Sequence, residues 1–234
     1  MWNHHPLTLS PQILKKKTLK NCLISAGPTR EWIDPVRYIS NPSTGKMGYA
    51  LAEAAKRMGM QVTLVSGNVN IPCPQGVQLI SVDTALEMEE AMYAESKFND
   101  LIIMCAAVSD HRPSEYHHVK LHKDKFPRKI TLTQNPDILK NLGTQKSNNQ
   151  VVVGFAAETN DVLNSAKKKL IEKNLDWIIA NDISQKKIGF ESENNEVTML
   201  SSFGEEKKLS YSRKSIIAEK ILNLIHLSCQ EKAH

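Results

Sequence analysis

The stretch Asp100-Leu-Ile-Ile-Met-Cys-Ala106 is apolar at every position after the first. A strand without a polar face is typical of a parallel sheet covered on both sides, so this stretch predicts a central parallel strand. Similar apolar runs recur along the chain and are ended by glycine, proline or polar residues. The predicted strands are 21–25, 61–66, 78–82, 100–106, 150–156 and 176–180, followed by a hairpin-like pair at 196–201 and 207–212.

Segments with the helical period separate these strands. Apolar residues such as Met47, Leu51 and Ala54 return every three to four positions, as on one face of a helix. Thr84 followed by Glu87 is a capping-box pattern that marks a helix start. The predicted helices are 46–59, 84–96, 136–142, 161–174 and 214–227.

The alternation of strands and helices predicts the fold class. It indicates an α/β fold with a Rossmann-like, mostly parallel sheet and helices on both faces. A polar segment at about 109–134 interrupts the alternation, and we expect it to be an inserted lid or flap. The length of 234 residues predicts a single domain at 19–228, preceded by a polar, flexible leader at 1–18.

The composition excludes several classes of protein. Hydrophobic residues make up 41% and charged residues 24%, which is typical of a globular protein and not of a disordered chain or a coiled-coil rod. No apolar run approaches the ~20 residues that span a bilayer, and the N-terminus does not read as a signal peptide. The four cysteines include no Cys-x-x-Cys pair. We therefore expect no disulfide framework, no zinc site, no membrane partner and a cytoplasmic location.

Two other functions remain alternatives. A net charge of +5 would suit a basic nucleic-acid-binding module, but aromatic residues are only 6% and the charges are mixed, so we expect no nucleic-acid partner. An NAD(P)-dependent Rossmann oxidoreductase would need Gly-x-Gly-x-x-Gly after the first strand and an acid after the second. The sequences Gly27-Pro-Thr29 and Ser66-Gly-Asn68 at those positions do not fit.

A long connection follows the first predicted strand. Ligands of such sheets bind beyond the carboxyl ends of the strands. This connection ends in Ser43, Thr44, Gly45 and Lys46, at a predicted helix start. Free backbone N–H groups and the helix dipole favour an anion there, so these four residues and Gly27 are candidate phosphate- or substrate-binding residues. A simple helix cap by Ser43 or Thr44 is the alternative, and it is compatible with an anion site.

Later strand ends also carry polar groups. Asp110 could accept a hydrogen bond from the exocyclic amine of a base, or it could cap a turn. Asn135 and Asp137 precede a predicted helix and could be capping groups. Phe155 lies at the end of a predicted strand. A phenylalanine at such a position usually belongs to the core, but it could also stack on a base.

Lysines mark two further segments. Lys169 and Lys173 are four residues apart and share one helix face, where a triphosphate would offset their repulsion; a solvated face is the alternative. Lys120 lies in the predicted insertion and could close over phosphates, although a solvated charge cluster would look the same in sequence.

The motifs at these strand ends together resemble those of one family, phosphopantothenoylcysteine synthetase (phosphopantothenate–cysteine ligase) of coenzyme A biosynthesis. The resemblance covers about residues 18–227 and is specific as a set, although each motif alone is weak. The motifs are Ser25-Ala-Gly-Pro-Thr-Arg-Glu31, Asp34-Pro-Val-Arg-Tyr-Ile-Ser-Asn41, Ser43-Thr-Gly-Lys-Met-Gly48, Ala106-Ala-Val-Ser-Asp110, Asn135-Pro-Asp-Ile138, Gly154-Phe-Ala-Ala-Glu-Thr159 and Ala180-Asn-Asp182.

The resemblance implies a ligase that acts in two steps. The carboxylate of 4′-phosphopantothenate attacks the α-phosphate of CTP, which gives an acyl-cytidylate and pyrophosphate. The amine of cysteine then attacks the acyl carbon and releases CMP. The resemblance also implies Mg²⁺ and a homodimer whose lid reaches toward the partner subunit. It implies a stand-alone bacterial-type enzyme or an excised domain. The nucleotide is expected to be CTP, with ATP as the alternative.

The resemblance assigns roles to individual residues. Lys120 matches the lysine that forms the acyl-cytidylate, Asn41 matches the asparagine that can hydrogen-bond the acyl oxygen in the second step, and Arg37 belongs to the same catalytic group. The family usually has Lys-x-Lys-Lys in the lid, whereas this chain has Lys120-Leu-His122-Lys123. His122 leaves one phosphate contact of the family in question and predicts that the activity depends somewhat on pH. The implied nucleotide-binding residues are Ala106, Asp110, Lys120, Asn135, Pro136, Asp137, Ile138, Phe155, Lys169 and Lys173.

Overall fold

A computed structural model describes residues 18–182 and 192–230 of the chain. The predicted leader falls almost entirely on residues 1–17, which lie outside the described residues. The described strands are β1 (Asn21–Ala26), β2 (Arg30–Trp32), β3 (Tyr38–Ser40), β4 (Gln61–Ser66), β5 (Gln78–Ser81), β6 (Leu101–Met104), β7 (His111–Pro113), β8 (Leu132–Gln134), β9 (Val151–Glu158), β10 (Trp177–Asp182), β11 (Asn194–Ser201) and β12 (Glu206–Arg213).

The helices lie where the apolar period predicts them. Each differs from its prediction by a few residues at its ends, which is the usual uncertainty of helix boundaries. The helices of the described residues are α1 (Lys46–Arg57), α2 (Ala85–Ser96), α3 (Ile138–Gln145), α4 (Val162–Glu172) and α5 (Lys214–Gln230). In the described part of the chain, no helix is both long and apolar enough to cross a membrane.

The main sheet has eight strands in the order β12-β11-β10-β9-β6-β1-β4-β5. The strands from β5 to β10 pair in parallel, whereas β11 and β12 add an antiparallel hairpin at one edge. The chain runs outward from β1 in one direction through β4 and β5 and in the other through β6, β9 and β10. The sheet is therefore doubly wound, as predicted, and the direction reverses between β1 and β6, where such folds bind ligands.

Two hydrophobic clusters cover the two faces of the sheet. On one face, Ile24 and Ile103 pack with residues of α1 and α5, and Trp177 is fully buried there. On the other face, Leu23 and Ile102 pack with residues of α2, α3 and α4. Consecutive residues of β1 and β6 thus enter opposite clusters, which explains why these strands have no polar face.

Local polar contacts end some elements at positions that differ from the prediction. The predicted strand 100–106 ends at Met104, because the Ser25 hydroxyl accepts the N–H groups of Cys105 and Ala106, each at 3.1 Å. The helix predicted to begin at Pro136 begins at Ile138, where the Asp137 carboxylate caps it by accepting the Lys140 N–H at 3.0 Å.

The segment 109–134 contributes no strand to the main sheet. Its ends pair with each other as the antiparallel strands β7 and β8, and a single 3₁₀ turn lies at Lys123–Lys125 between them. Strands β2 and β3 form a second small antiparallel pair, from the long connection after β1. The role of 109–134 as a lid remains a prediction.

Candidate active site

A cavity of about 700 Å³ lies at the carboxyl ends of β6 and β9. This volume is in the range of pockets that hold a nucleotide-sized ligand. Most of the predicted nucleotide-binding residues line it together. Its lining comprises Asn41, residues 104–111, residues 134–139, Phe155, Ala157, Lys169 and Lys173.

Buried hydroxyl groups fix the rim of this cavity between β1 and β6. The Ser25 hydroxyl holds the two N–H groups that follow β6, and the Thr29 hydroxyl accepts the Ser109 N–H at 3.0 Å. Ser25 and Thr29 are both fully buried. The Ala107 N–H also donates to the Gly27 carbonyl oxygen at 2.9 Å. The connection after β6 is therefore held rigidly at the point where a base could approach it.

Asn41 joins the same rim from the connection after β3. Its amide nitrogen donates to the carbonyl oxygens of Ala107 and Val108, at 3.2 and 3.3 Å. Both amide hydrogens can thus be taken up by the protein backbone. Asn41 is partly buried and lines the cavity beside Ala106.

Asn135 lines the cavity but is committed to protein contacts. It is 7% exposed, its amide nitrogen donates to the Ser109 carbonyl oxygen, and its amide oxygen accepts from Arg112, at 2.8 and 2.9 Å. Asn135 therefore braces the loop, and its contact with a nucleotide remains a prediction. Asp110, by contrast, is exposed on the cavity lining, so its carboxylate is accessible.

The two predicted phosphate-binding lysines converge on the cavity from the end of α4. The Lys169 ammonium pairs with the Glu158 carboxylate at 2.5 Å, and the Lys173 ammonium pairs with the Asp137 carboxylate at 2.9 Å. Asp137 thus caps α3 and also pairs with Lys173, while its contact with the nucleotide remains a prediction. A polyanion entering the cavity would replace these carboxylates as the partner of the lysines.

A smaller pocket adjoins this cavity at the start of α1. Its volume is about 60 Å³. The two share Cys105, Phe155 and Ala157 as lining residues, so they lie next to each other. Four of the five predicted phosphate- or substrate-binding residues line this pocket. Its lining comprises residues 43–48, Cys105, Phe155, Ala156, Ala157, Asn181, Asn195 and Lys214.

Glycine at two positions allows α1 to begin against the sheet. Gly45 is the N-cap and has a φ of 76°, so the cap is neither Ser43 nor Thr44. A Cβ atom at Gly48 would lie 2.5 Å from the Ala26 Cβ, so only glycine lets α1 approach β1 this closely. Gly27 is among the lining residues of neither cavity, and its Cα would lie 3.4 Å from a Cβ at Gly45. Its predicted substrate contact therefore remains a prediction.

Arg37 lies in a separate cluster around Asp34, and this cluster binds Leu121, the neighbour of Lys120 in the sequence. Asp34, which is fully buried, accepts the N–H groups of Val36 and Arg37 at 2.9 Å and that of Leu121 at 3.3 Å. The Arg37 guanidinium donates to the Leu121 carbonyl oxygen at 2.9 Å. Among the described residues, neither Arg37 nor the exposed Lys120 lines the nucleotide-sized cavity of the same chain.

The electrostatics of this cluster favour a charged Asp34. Burial raises the pKa of the carboxyl, but the three backbone hydrogen bonds and the charge of Arg37 outweigh burial and hold the pKa below its ordinary value. The ring of Phe126 lies 4.3 Å from the Arg37 guanidinium and packs against its face. The Asp34 turn thus binds the segment that carries Lys120.

Comparison with protein-family models matches residues 18–228 to the DNA/pantothenate metabolism flavoprotein C-terminal domain. The chain belongs to this family. The resemblance that the sequence motifs indicate is therefore confirmed at the level of the family.

Curated relatives extend the family assignment. The chain is 47% identical over 223 residues to the coenzyme A biosynthesis bifunctional protein CoaBC of Vibrio vulnificus, covering 94% of this chain and 55% of that protein. It is 46% identical over 215 residues to CoaBC of Escherichia coli, covering 91% and 53%. The chain thus spans about half the length of the curated relatives it matches.

Solved structures of the family share the fold. The crystal structure of the C-terminal domain of CoaBC is 41% identical, with a TM-score of 0.76, and the match covers 91% of this chain and 97% of that one. A Cab2 mutant in complex with phosphopantothenate-cysteine is 17% identical with a TM-score of 0.71, covering 90% and 87%. The second likeness shows the fold alone.

Three residues at these cavities, Ser25, Thr29 and Lys214, have no role assigned from the sequence. Ser25 and Thr29 lie inside one of the family motifs, but their hydroxyl groups bind a loop about 80 residues further along the chain. Only the hydrogen bonds of the folded chain show this contact. Lys214 lines the small pocket and is 7% exposed. Its signal in the sequence is a lysine at the first position of a helix, where the helix dipole disfavours a cation.

Proposed function

We propose that the chain is a phosphopantothenate–cysteine ligase that activates 4′-phosphopantothenate with CTP. The observation that carries the proposal is the cavity at the β1–β6 reversal, where Lys169 and Lys173 converge on a nucleotide-sized space. Membership of the family and the similarity to CoaBC support the assignment to coenzyme A biosynthesis. A cytoplasmic location and small-molecule substrates accompany this proposal.

In the first step, a carboxylate oxygen of 4′-phosphopantothenate forms a bond to the α-phosphorus of CTP, and the bond from that phosphorus to pyrophosphate breaks. Two anions must approach each other, so cations near the phosphates lower the barrier most. Lys169 and Lys173 supply these cations by exchanging Glu158 and Asp137 for the triphosphate. The buried rim at Ala106 receives the base, with Asp110 as the acceptor for its exocyclic amine.

Magnesium would act beside these lysines. Mg²⁺ takes oxygen ligands and is usually bound by one or two carboxylates together with substrate phosphates. Asp110 and Asp137 are the carboxylates of the cavity lining, and the described residues contain no cluster of three metal-ligating side chains. This donor set fits an ion carried mainly by the triphosphate. When bound, the ion supplies neutralisation of phosphate charge.

In the second step, the cysteine amine forms a bond to the acyl carbon, the bond from that carbon to the CMP oxygen breaks, and the amine loses a proton. Asn41 lies on the cavity rim, where its hydrogen bonds to Ala107 and Val108 occupy the amide nitrogen. Donation to the acyl oxygen requires the exchange of one of these bonds. The same contacts favour a complementary role, in which the amide oxygen accepts a hydrogen bond from the attacking amine.

Arg37 and Lys120 complete the site in a homodimer. Arg37 and Leu121, the neighbour of Lys120, belong to the cluster around Asp34. In the described residues, neither Arg37 nor Lys120 lines the cavity of its own chain. We therefore assign the segment 109–134 as a lid that carries Lys120 to the cavity of a second copy. The antiparallel pair β7–β8 keeps the two ends of the segment together while its middle reaches outward.

The test is incubation of the protein with 4′-phosphopantothenate, Mg²⁺ and either CTP or ATP, first without and then with cysteine. We expect pyrophosphate and an acyl-nucleotide without cysteine, faster with CTP, and CMP with the amide product after cysteine is added. Lys173→Ala should raise the KM for CTP about tenfold, since a charge-assisted contact is worth about 1.5–3 kcal/mol.

Lys168→Ala is the matched control, because Lys168 lies on the same helix and its side chain is 71% exposed. Its KM for CTP should stay at the wild-type value. Absence of pyrophosphate release with both nucleotides would contradict the proposed function. Equal effects of the two substitutions would contradict the assignment of Lys173 to the phosphates.

A further inference from the structure

Lys169 and Lys173, which line the nucleotide-sized cavity, each hold a carboxylate of the same chain. The Lys169 ammonium lies 2.5 Å from Glu158 Oε1, and the Lys173 ammonium lies 2.9 Å from both carboxylate oxygens of Asp137. The proposed function gives these same ammonium groups to the triphosphate. The two carboxylates therefore compete with the phosphates of any nucleotide that enters the cavity.

These two ion pairs are more covered than an ordinary surface pair. The side chains of Glu158 and Lys173 are only 20% and 22% exposed. Elsewhere on the same helix, Lys168 and Glu172 are 3.8 Å apart and much more exposed. Because less water screens the charges at the cavity, its ion pairs attract more strongly than the exposed pair does.

The two carboxylates are attached to fixed elements, whereas the lysines are long and flexible. Glu158 is the last residue of β9 and lies in register with Asp182 of β10. Asp137 caps α3 by accepting the Lys140 N–H at 3.0 Å. A lysine ammonium, by contrast, lies at the end of a flexible four-carbon stem. When phosphates take the lysines, the carboxylates thus stay within reach and can recover them.

The first step of the reaction changes this competition. In CTP, the outer phosphates are linked to the base and ribose, so the contacts of the whole nucleotide raise their effective concentration at the lysines. The link is lost when the bond from the α-phosphorus to pyrophosphate breaks. The carboxylates are part of the chain, so their effective concentration stays the same. The balance therefore shifts toward the ion pairs when the bond breaks.

We propose that Glu158 and Asp137 expel pyrophosphate by re-forming their ion pairs with Lys169 and Lys173 once the acyl-cytidylate has formed. The inference rests on the proposed function and adds Glu158 to the site, together with a second role for Asp137. Departure of pyrophosphate prevents the reverse of the first step, in which a pyrophosphate oxygen attacks the α-phosphorus and releases the carboxylate. The acyl-cytidylate then stays available to the cysteine amine.

The test is the affinity for pyrophosphate, measured by isothermal titration calorimetry with Mg²⁺ present. Glu158→Gln keeps the shape of the side chain but removes its charge, so Lys169 loses its competitor. We expect the Kd for pyrophosphate to fall about three- to fivefold, the scale of a partly exposed ion pair. The Kd for CMP should change less than about twofold, because CMP lacks the two outer phosphates and is independent of this exchange.

Asp137→Asn tests the second ion pair. Asparagine caps a helix as well as aspartate does, so α3 keeps its N-cap. We expect the Kd for pyrophosphate to fall here as well. Glu172→Gln is the matched control, because it removes the carboxylate of the exposed Lys168–Glu172 pair on the same helix. Both Kd values should stay at the wild-type level in this control.

The sign of the change separates this inference from other roles. A carboxylate that braced the lysines or held Mg²⁺ would weaken pyrophosphate binding when removed, so an unchanged or higher Kd overturns the inference for that carboxylate. An equal gain in affinity for CMP, or in the Glu172→Gln control, would show a general effect of charge and overturns it too. If one variant fails to fold, the other gives the same comparison at its own ion pair.

These outcomes leave the proposed function intact, since that function is tested by pyrophosphate release from CTP in the wild-type protein. Absence of this release overturns both the proposed function and the inference.

Discussion

The rim of the nucleotide-sized cavity and the segment that carries Lys120 are held by different kinds of contact. On the rim, the buried hydroxyl groups of Ser25 and Thr29 and the amide of Asn41 bind backbone groups of the connection after β6. The lid segment is mostly exposed, and its middle is bound to the Asp34 turn through Leu121. The rim is thus a fixed surface, whereas the lid is an exposed segment with a local anchor.

This difference bears on the proposed function. If the rim binds the base and the segment 109–134 acts as the lid, recognition and closure belong to parts of the molecule that are held differently. Core contacts open only at a cost close to that of global unfolding, whereas an exposed segment with few buried contacts opens at low cost. A lid of the second kind could cover the reactive anhydride and then release the product, and the anchor at Asp34 would position it.

The largest expected effect tests whether the rim of one subunit works with the lid of the other. Asn41→Asp should release pyrophosphate but form no amide, and Lys120→Ala should form no acyl-cytidylate. If the lid of one copy serves the rim of another, then mixed dimers contain one site with neither substitution. Mixing the two variants should restore about a quarter of the wild-type activity, because about half of the dimers are mixed and have one intact site of two.

Activity should be measured after the variants have been unfolded and refolded together, so that the subunits exchange. The double variant Asn41→Asp with Lys120→Ala, mixed with wild-type protein, is the control. Activity that stays at the level of the separate variants would show that each lid serves its own chain.

A smaller effect is expected from the anchor of the lid. Asp34→Asn keeps the size of the side chain but weakens its bonds to Leu121 and Arg37. We expect the rate of acyl-cytidylate formation to fall about tenfold, since a hydrogen bond to a charged group contributes about 1.5–3 kcal/mol. The KM for CTP should change little, because the rim does not involve Asp34. Single-turnover pyrophosphate release measures both quantities.

The pH dependence of this anchor follows from the lowered pKa of Asp34. A carboxyl whose pKa is lower in the folded state stabilises that state above its unfolded pKa and loses this contribution as the pH falls through the folded value. The anchor should therefore be intact between about pH 6 and 9, and the effect of Asp34→Asn should be constant over that range. Asp124→Asn, in the exposed 3₁₀ turn of the lid, should leave the rate unchanged. A loss of CTP affinity in Asp34→Asn would place Asp34 in the rim instead.

The smallest expected effect concerns His122, which is exposed on the lid. His122→Lys restores the lysine of the family pattern, so a phosphate contact from this position should strengthen and kcat/KM should rise by about twofold. An unchanged kcat/KM would remove His122 from the phosphate contacts.

The sequence predicted the elements of the fold well where the signal was local. Apolar runs located the strands of the main sheet, and the helical period located α1 to α5, because each pattern depends on neighbours in the chain. The short strands β2, β3, β7 and β8 were not predicted. The boundaries that differ depend on partners far along the chain. The strand after Asp100 ends early because Ser25 binds its last N–H groups, and no local pattern around Cys105 contains that information.

The same distinction holds for the candidate site. The motifs located Asp110 and Phe155, and the fold brings them to one cavity because carboxyl ends of parallel strands meet at one edge. Lys169 and Lys173 reach the same cavity from the end of α4. The motifs did not reveal that Arg37 and Lys120 lie outside this cavity lining in a single chain.

By itself, the sequence determined the family, the order of the elements and the polar groups at each strand end, since motifs and periodicity are properties of contiguous residues. The tertiary structure alone decided which of those groups face one another. Only folding buries Lys214 beside Lys46, because the N-termini of two helices 168 positions apart in the chain meet at one pocket. Burial and electrostatic repulsion depend on distance in space, which the order of residues does not record.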